Sequence, residues 1–351
     1  MAEEYLTHQP WLTIDATVES LNPDKVLVVT DRNVEMKVFP HLDASKVVRE
    51  SPRIAIPAGE SGKNLSTVVE VWKKLEEIEA TRRSLVINIG GGVVTDLGGF
   101  AASTFKRGIR TVNYPTTLLG AVDAATGGKT GIDFMGLKNE IGSFHLPAKV
   151  IVSAKPFSTL PEEEVMSGYA EMVKTAIISD KDFYVRLLDF DAITKDENLL
   201  GSAVAKCVAI KEEVVTLDPM EKGLRKILNF GHTAGHAFES LLIERGAPIT
   251  HGKAVAHGML VALILSKFKL GFDSGELHIY QRFLKEFYGI SLIKCEDIDA
   301  AIEKMSRDKK NLHFGEPLFT LLKAPGDPEI NCKVSRDDIR EALEIYIDFM
   351  Q

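Results

Sequence analysis

Short apolar runs rich in β-branched residues alternate with helical patterns in the first part of the chain. The runs lie at residues 26–30, 53–56, 85–89, 111–114 and 150–152, and residues 67–80 have the apolar spacing of an amphipathic helix. Strands separated by helices predict a parallel sheet covered by helices, which binds ligands at the carboxyl ends of its strands. The pattern therefore predicts an α/β, Rossmann-like N-terminal domain over residues 1–157.

Beyond residue 157 the hydrophobic pattern changes to long segments with a 3.6-residue period. These segments cover residues 162–178, 199–215, 233–242 and 254–268. Two short apolar runs, at 316–322 and 329–332, flank Pro325 and Gly326 as the strands of a hairpin would. The sequence thus predicts a mostly α-helical C-terminal domain over residues 158–351.

Composition narrows the classes of partner. The 351 residues carry a net charge of -8, and no run of basic residues follows the spacing of a phosphate backbone, so we expect no nucleic-acid partner. The first ten residues lack the apolar core of a signal peptide, and no apolar stretch approaches the roughly 20 residues of a membrane span. We expect a cytoplasmic protein with three reduced cysteines.

A run of three glycines follows the predicted strand at 85–89 and precedes a helical pattern. Glycines let backbone amides approach phosphate oxygens, and a helix N-terminus favours anions, so Gly91 and Gly92 are candidates for a dinucleotide turn. The spacing departs from GxGxxG, and a plain tight turn is the alternative. The GGKT at 127–130 is not a P-loop, because Asp123 stands where the first glycine is required.

Two histidines four residues apart form the candidate metal motif. His232 and His236 share one face if the segment is helical, and His251 follows 15 residues later. Histidine nitrogens suit zinc, and a catalytic zinc site needs three protein ligands and an open position. Glu171 is a candidate for a charge-neutralising ligand. The residues alone leave two alternatives open: a histidine pair at the surface or capped in the core, and a solvated helical glutamate.

Several cations stand beside turns and could bind phosphate or carboxylate groups. Solvated surface cations are the alternative reading. The candidates are Arg107, Lys129, Lys138 with Asn139, Lys211, Arg225, and the pair Lys309 and Lys310.

Many motifs together resemble the 3-dehydroquinate synthase family, a branch of the sugar phosphate cyclases. In the N-terminal half the resemblance rests on PAGESGKN at 57–64, GGGVVTDLGGFAAS at 90–103, PTTLL at 115–119 and VDAATGGKTGID at 122–133. In the second half it rests on GLKNEIGSF, SGYAEMVKT, GLRKILNFGHTAGHAFE, HGKAVAHGM and DKKN, in the same order. The resemblance covers nearly the whole chain.

The resemblance implies a division of roles among the metal-site residues. Glu171, His232 and His251 would hold zinc or cobalt, whereas His236 would transfer a proton. NAD would contact the N-terminal sheet through Asp31, Glu60, Lys63, Gly91, Gly92, Val93, Asp96, Thr116, Thr117, Asp123, Lys129, Lys138 and Thr159. Substrate contacts would come from Lys129, Asn139, Lys174, Lys309 or Lys310, Lys211, Arg225 and Asn229, with Glu221 in a proton-accepting role and Arg107 reaching across a homodimer.

The implied reaction closes 3-deoxy-D-arabino-heptulosonate 7-phosphate into 3-dehydroquinate, a step of the shikimate pathway, with loss of phosphate and transient oxidation by NAD. A metal-dependent polyol dehydrogenase is the rival enzyme, although an uncharged polyol would leave Lys174 and Arg225 without an anionic partner. Sister cyclases that make aminodehydroquinate, valiolone or inosose products are nearer rivals. A non-catalytic NAD-binding protein is the remaining class.

Two histidines depart from the family pattern. His145 and His257 stand where the resemblance leads us to expect aromatic or apolar residues. We interpret both as packing variation and assign them no role.

Overall fold

The computed structural model describes residues 6–135, 137–306 and 317–351. The predicted phosphate ligands Lys309 and Lys310 lie outside the described residues, so their predicted role is not tested.

A parallel sheet forms the centre of the N-terminal part. In the described ranges it has five strands in the order β2-β1-β3-β4-β7, and every neighbouring pair is parallel. The strands are β1 (Val26–Asp31), β2 (Arg53–Ile56), β3 (Leu85–Gly90), β4 (Arg110–Pro115) and β7 (Lys149–Val150). This sheet confirms the predicted α/β architecture, although the last strand ends two residues before the predicted position.

Helices cover both faces of the sheet. They are α1 (Pro10–Leu21), α2 (Arg32–Lys37), α3 (Lys46–Glu50), α4 (Leu65–Glu77) and α5 (Gly92–Thr104). Every residue of β3 is buried, as expected for a central parallel strand with helices on both sides. Two apolar clusters follow, one with Val71 and Leu97 on one face and one with Ile14 and Phe39 on the other.

An antiparallel hairpin stands apart from the main sheet, and the hydrophobic pattern did not predict it. Its strands are β5 (Lys129–Phe134) and β6 (Leu137–Phe144). Most residues of β6 are exposed, so the strand lacks the alternation of buried and exposed positions from which a half-buried strand is predicted. The GGKT segment runs into β5 rather than into the helix that a P-loop requires.

The remainder is mostly helical, as predicted. The helices are α6 (Glu162–Ile177), α7 (Lys181–Leu187), α8 (Phe190–Thr194), α9 (Glu197–Leu217), α10 (His232–Glu244), α11 (His251–Leu270), α12 (Ser274–Tyr288), α13 (Ile298–Ser306) and α14 (Arg336–Phe349). Helix α11 is buried from Ala254 to Ser266, because its own residues are mostly apolar on every face of the helix. The predicted hairpin is confirmed as β8 (Leu318–Ala324) and β9 (Asp327–Lys333).

The chain divides into two compact units that do not follow a single break. One consists of residues 1–161 and 192–212, and the other of residues 162–191 and 213–351. The single domain boundary after residue 157 stays a prediction. Among the described helices, none is long and apolar enough to cross a membrane.

Candidate metal centre and dinucleotide-binding edge

Three helices of the second unit bring a glutamate and three histidines together. His232 and His236 lie one turn apart on α10, and His251 is the first residue of α11. Their ring nitrogens lie within 4.8 Å of one another. Glu171 on α6 completes the cluster, because its Oε1 lies 3.7 Å from Nε2 of His232 and 3.7 Å from Nε2 of His251. The sequence prediction therefore named four residues that the fold gathers from three helices.

A glycine at the start of α11 permits the approach of α6. A Cβ atom on Gly252 would stand 1.9 Å from the carbonyl oxygen of Ser167, closer than any side chain tolerates. The Gly252 amide instead donates to Ser167 Oγ at 3.1 Å. Ser167 lies one turn before Glu171 on α6, so this contact sets the spacing between the carboxylate and the helix that carries His251.

The donor set suits a divalent cation. Glu171 is only 1% exposed, and a buried carboxylate requires a cationic partner. Burial disfavours the protonated imidazole of His251, but Glu171 and Glu239 outweigh it and raise the pKa of His251 to about 9. The cluster thus attracts positive charge, which a divalent ion bound to imidazole and carboxylate ligands would supply in place of the proton. Three histidine nitrogens are close enough to bind an ion, so the division between ligands and the proton-transferring His236 stays a prediction.

Glu239 belongs to this cluster and was missed by the motif reading. It follows His232 by seven residues on α10 and is buried, and its Oε2 lies 3.5 Å from Nδ1 of His251. The spacing of two helical turns was visible in the sequence. The spacing alone does not single Glu239 out, because most helical glutamates are solvated.

Two predicted cations of the same unit are buried, and one of them contacts the metal cluster. Lys174 is buried one turn after Glu171 and forms an ion pair with it. Arg225 is also buried, and its guanidinium donates to the carbonyl of Pro219 at 2.9 Å.

A short polar loop places two further predicted residues side by side. Asn229 donates to Glu221 Oε1 at 2.7 Å. Glu221 has a φ of 56°, and the Asp218 carboxylate accepts the amides of Lys222, Gly223 and Arg225, which holds the loop in place.

In the first unit several of the predicted NAD contacts lie at one edge of the sheet. Parallel strands present their carboxyl ends on the same edge. There Asp31 ends β1 and caps α2, Glu60 follows β2, the glycine turn follows β3, and Thr116 follows β4. The fold therefore gathers residues that are far apart in the sequence at the position where doubly wound sheets bind nucleotides.

The glycine turn packs closely against Thr117. A Cβ on Gly91 would stand 2.9 Å from Thr117 Cγ2, closer than Cβ atoms approach other side chains, so the turn requires glycine at this position. Gly91 is the N-cap of α5, and the Thr116 amide donates to the Gly90 carbonyl at 3.0 Å. The turn thus ends at a helix N-terminus without a side-chain cap among the described residues, and Gly92 and Val93 form its first turn. These features fit a pyrophosphate group.

Lys63 links three polar residues of this unit. Its buried ammonium group lies 2.7 Å from Asp96 Oδ2 and donates to Asn139 Oδ1 at 2.6 Å. Burial raises the pKa of Asp96 to about 6, although the charge of Lys63 opposes the shift. Asn139 has a φ of 51°, and its amide donates to Asp133. Lys63 therefore joins Asp96, a second predicted NAD contact, to Asn139, which was predicted as a phosphate ligand.

The remaining predicted residues of this unit lie in several places. Lys211 pairs with Asp123, and its ammonium also donates to the Asp123 carbonyl at 2.5 Å. Lys129 and Lys138 are exposed on the hairpin. Thr159 donates to the Pro156 carbonyl.

Arg107 lies in a backbone segment of unusual conformation. Lys106, Arg107 and Gly108 all have positive φ, and the Arg107 side chain is exposed. Such a segment is strained in non-glycine residues, and strain of this kind is common at functional sites.

Comparison with known proteins shows the family. Models described as 3-dehydroquinate synthase N-terminal and C-terminal match residues 53–167 and 168–311. The 3-dehydroquinate synthase of Parabacteroides distasonis is 44% identical over 329 residues, which cover 94% of this chain and 93% of the relative. That of Thermococcus kodakarensis is 40% identical over 345 residues, which cover 98% of this chain and 96% of the relative.

A solved structure shares the architecture. The crystal structure of 2-deoxy-scyllo-inosose synthase, complexed with carbaglucose-6-phosphate, NAD+ and Co2+, has a TM-score of 0.81 and 25% sequence identity. The match covers 97% of this chain and 95% of that chain. Together with the two domain models and the two relatives, it shows that this chain belongs to the 3-dehydroquinate synthase family.

Proposed function

We propose that this chain is a 3-dehydroquinate synthase that converts 3-deoxy-D-arabino-heptulosonate 7-phosphate to 3-dehydroquinate and phosphate. The observation that carries the proposal is the cluster of Glu171, His232, His236 and His251 with the buried cation Lys174 beside it. Lys174 pairs with Glu171 in this structure. A metal ion bound to Glu171 would take over that carboxylate, and an anionic substrate, unlike a polyol, would then balance the charge of the buried lysine. The names of the relatives support the same activity.

In the helical unit, Glu171, His232 and His251 would hold zinc or cobalt. His236 would accept the proton of the substrate hydroxyl, because an imidazole titrates near neutral pH. Lys174 would bind the phosphate, and Arg225 and Asn229 would bind the carboxylate and ring hydroxyls. Asn229 already contacts Glu221, so the proton-accepting role of Glu221 would act on the same part of the substrate.

In the sheet unit, the strand edge with Asp31, Glu60, Thr116 and the glycine turn would hold NAD. Lys129 and Asn139 would bind phosphate, and Lys211 would bind the carboxylate end. The chemistry supplied by the bound ion and NAD would be Lewis-acid activation of a hydroxyl and reversible hydride transfer. The protein's own part is to orient the sugar and to balance the charge of the leaving phosphate.

A homodimer with Arg107 supplied to the neighbouring subunit belongs to this proposal. Its support is the hairpin, which exposes Phe134, Met135, Leu137 and Phe144, with Met135 86% exposed. Exposed apolar groups of this kind favour burial against a partner. The Arg107 side chain is exposed, as a contribution to a neighbouring subunit requires. A cytoplasmic location stays a prediction.

The test is a reaction with purified protein, zinc, a small amount of NAD and the heptulosonate phosphate. We expect one phosphate released for each substrate consumed, 3-dehydroquinate as the product, and no accumulation of NADH. Steady accumulation of NADH with glycerol would support the polyol dehydrogenase instead. Phosphate release with a different carbocycle would assign the chain to a sister cyclase, and absence of turnover would favour a non-catalytic protein.

A further inference from the structure

Glu239 lies on the same face of α10 as His232 and His236, the two histidines of the metal motif. His232, His236 and Glu239 stand at positions i, i+4 and i+7, which is two full turns of helix. Its side chain is only 9% exposed. A carboxylate in such a place is expensive to bury unless it has a partner. The burial of Glu239 therefore calls for a cationic or hydrogen-bonding group nearby, and His251 lies in that position.

The two histidines nearest Glu171 share one arrangement. In His232, Nε2 faces Glu171 Oε1 and Nδ1 lies 3.2 Å from the carbonyl oxygen of Phe230. In His251, Nε2 also faces Glu171 Oε1, and Nδ1 lies 3.5 Å from Glu239 Oε2. Each ring thus has an oxygen acceptor at Nδ1 and presents Nε2 to the same carboxylate. This is the arrangement of metal-binding histidines whose second nitrogen is held by an outer acceptor.

We infer that Glu239 is a positioning residue: it accepts a hydrogen bond from Nδ1 of His251 and so fixes the ring with Nε2 toward the metal-binding cluster. The inference rests on the proposed function, since it concerns the ion that this cluster would hold. His251 needs such a residue more than His232 does. His232 receives its acceptor from its own chain two residues away, whereas His251 is the first residue of its helix and takes its acceptor from α10.

Three variants test the inference. Glu239→Gln keeps the shape of the side chain and removes its charge, Glu239→Ala removes the acceptor, and Glu244→Gln changes a glutamate of the same helix that is 66% exposed. Zinc affinity is measured by competition with a chelator, and the absorption spectrum is recorded with Co2+. Loss of an outer acceptor weakens metal affinity by roughly 10- to 100-fold. We expect about tenfold weaker zinc binding for Glu239→Gln, a larger loss for Glu239→Ala, and a shifted cobalt spectrum in both.

Thermal unfolding with and without zinc separates positioning from a purely structural role. A positioning role reduces the stabilisation that zinc adds, whereas a structural role lowers the stability of the metal-free protein and leaves the zinc increment unchanged. Wild-type zinc affinity in both Glu239 variants, or equal weakening in Glu244→Gln, would overturn the inference while the proposed function stands. A wild-type protein that binds no zinc would overturn the metal centre itself. Should Glu239→Ala fail to fold, the isosteric Glu239→Gln decides the question.

Discussion

The buried histidine on α11 should make this protein sensitive to acid. His257 is 0% exposed and lies between helices, where its Nδ1 is 2.8 Å from the hydroxyl of Tyr346 on α14. Burial lowers the pKa of His257 to about 3, from 6.5 for the free side chain. The native protein therefore keeps this ring neutral at pH values where the unfolded chain binds a proton.

The magnitude follows from the two pKa values. Because the unfolded state binds more protons below pH 6.5, stability falls as the pH decreases from there toward the folded pKa. At pH 5 the pKa shift of His257 lowers the free energy of unfolding by about 2 kcal/mol, and at pH 7 it lowers it by only about 0.2 kcal/mol. A change of one unit in the folded pKa alters the value at pH 5 by less than about 0.1 kcal/mol. The size of the effect thus depends mainly on the ring being buried and neutral.

The perturbation is His257→Asn, which removes the titrating group and keeps an acceptor near the Tyr346 hydroxyl. Its smaller side chain lowers stability at every pH, so the pH dependence of the difference is the relevant quantity. We expect urea unfolding to show that the gap between wild type and variant narrows by about 2 kcal/mol from pH 7 to pH 5. The exposed His278 gives the control, and His278→Asn should follow wild type. A gap for His257→Asn that stays constant over this range would refute the reasoning.

The metal cluster supports two further predictions. His232→Ala should lower zinc content sharply, whereas His236→Ala should retain zinc and lose most of its turnover. Metal analysis measures the zinc content, and phosphate release measures the turnover. Loss of zinc in both variants would contradict the division of roles. Gly252→Ala should destabilise the protein by about 3 kcal/mol or more in urea unfolding, because the new Cβ would meet the Ser167 carbonyl. The same variant should bind zinc more weakly than wild type. Wild-type stability would show that α6 can move away from α11.

Local sequence patterns predicted much of the fold and many residues of the candidate site. Short apolar runs rich in β-branched residues predicted the strands of the main sheet, and apolar spacing with a 3.6-residue period predicted most of the long helices. The hairpin β5–β6 was missed because its strands have no consistently buried face. Helix α4 begins three residues after the turn at Gly62 because the Asn64 side chain accepts the Thr67 amide, which the apolar spacing did not reveal.

The sequence by itself determined which residues could do chemistry, because residue type and helical spacing place His232, His236 and Glu239 on one face of a helix. Only the tertiary structure decided which of them meet. Glu171 and His251 are separated in the chain by 80 positions, and their contact depends on how closely α6 packs against α11 at Gly252. Only the structure likewise showed that Glu239 is buried. Local geometry follows from the backbone, but burial and distance between remote residues depend on the packing of whole helices.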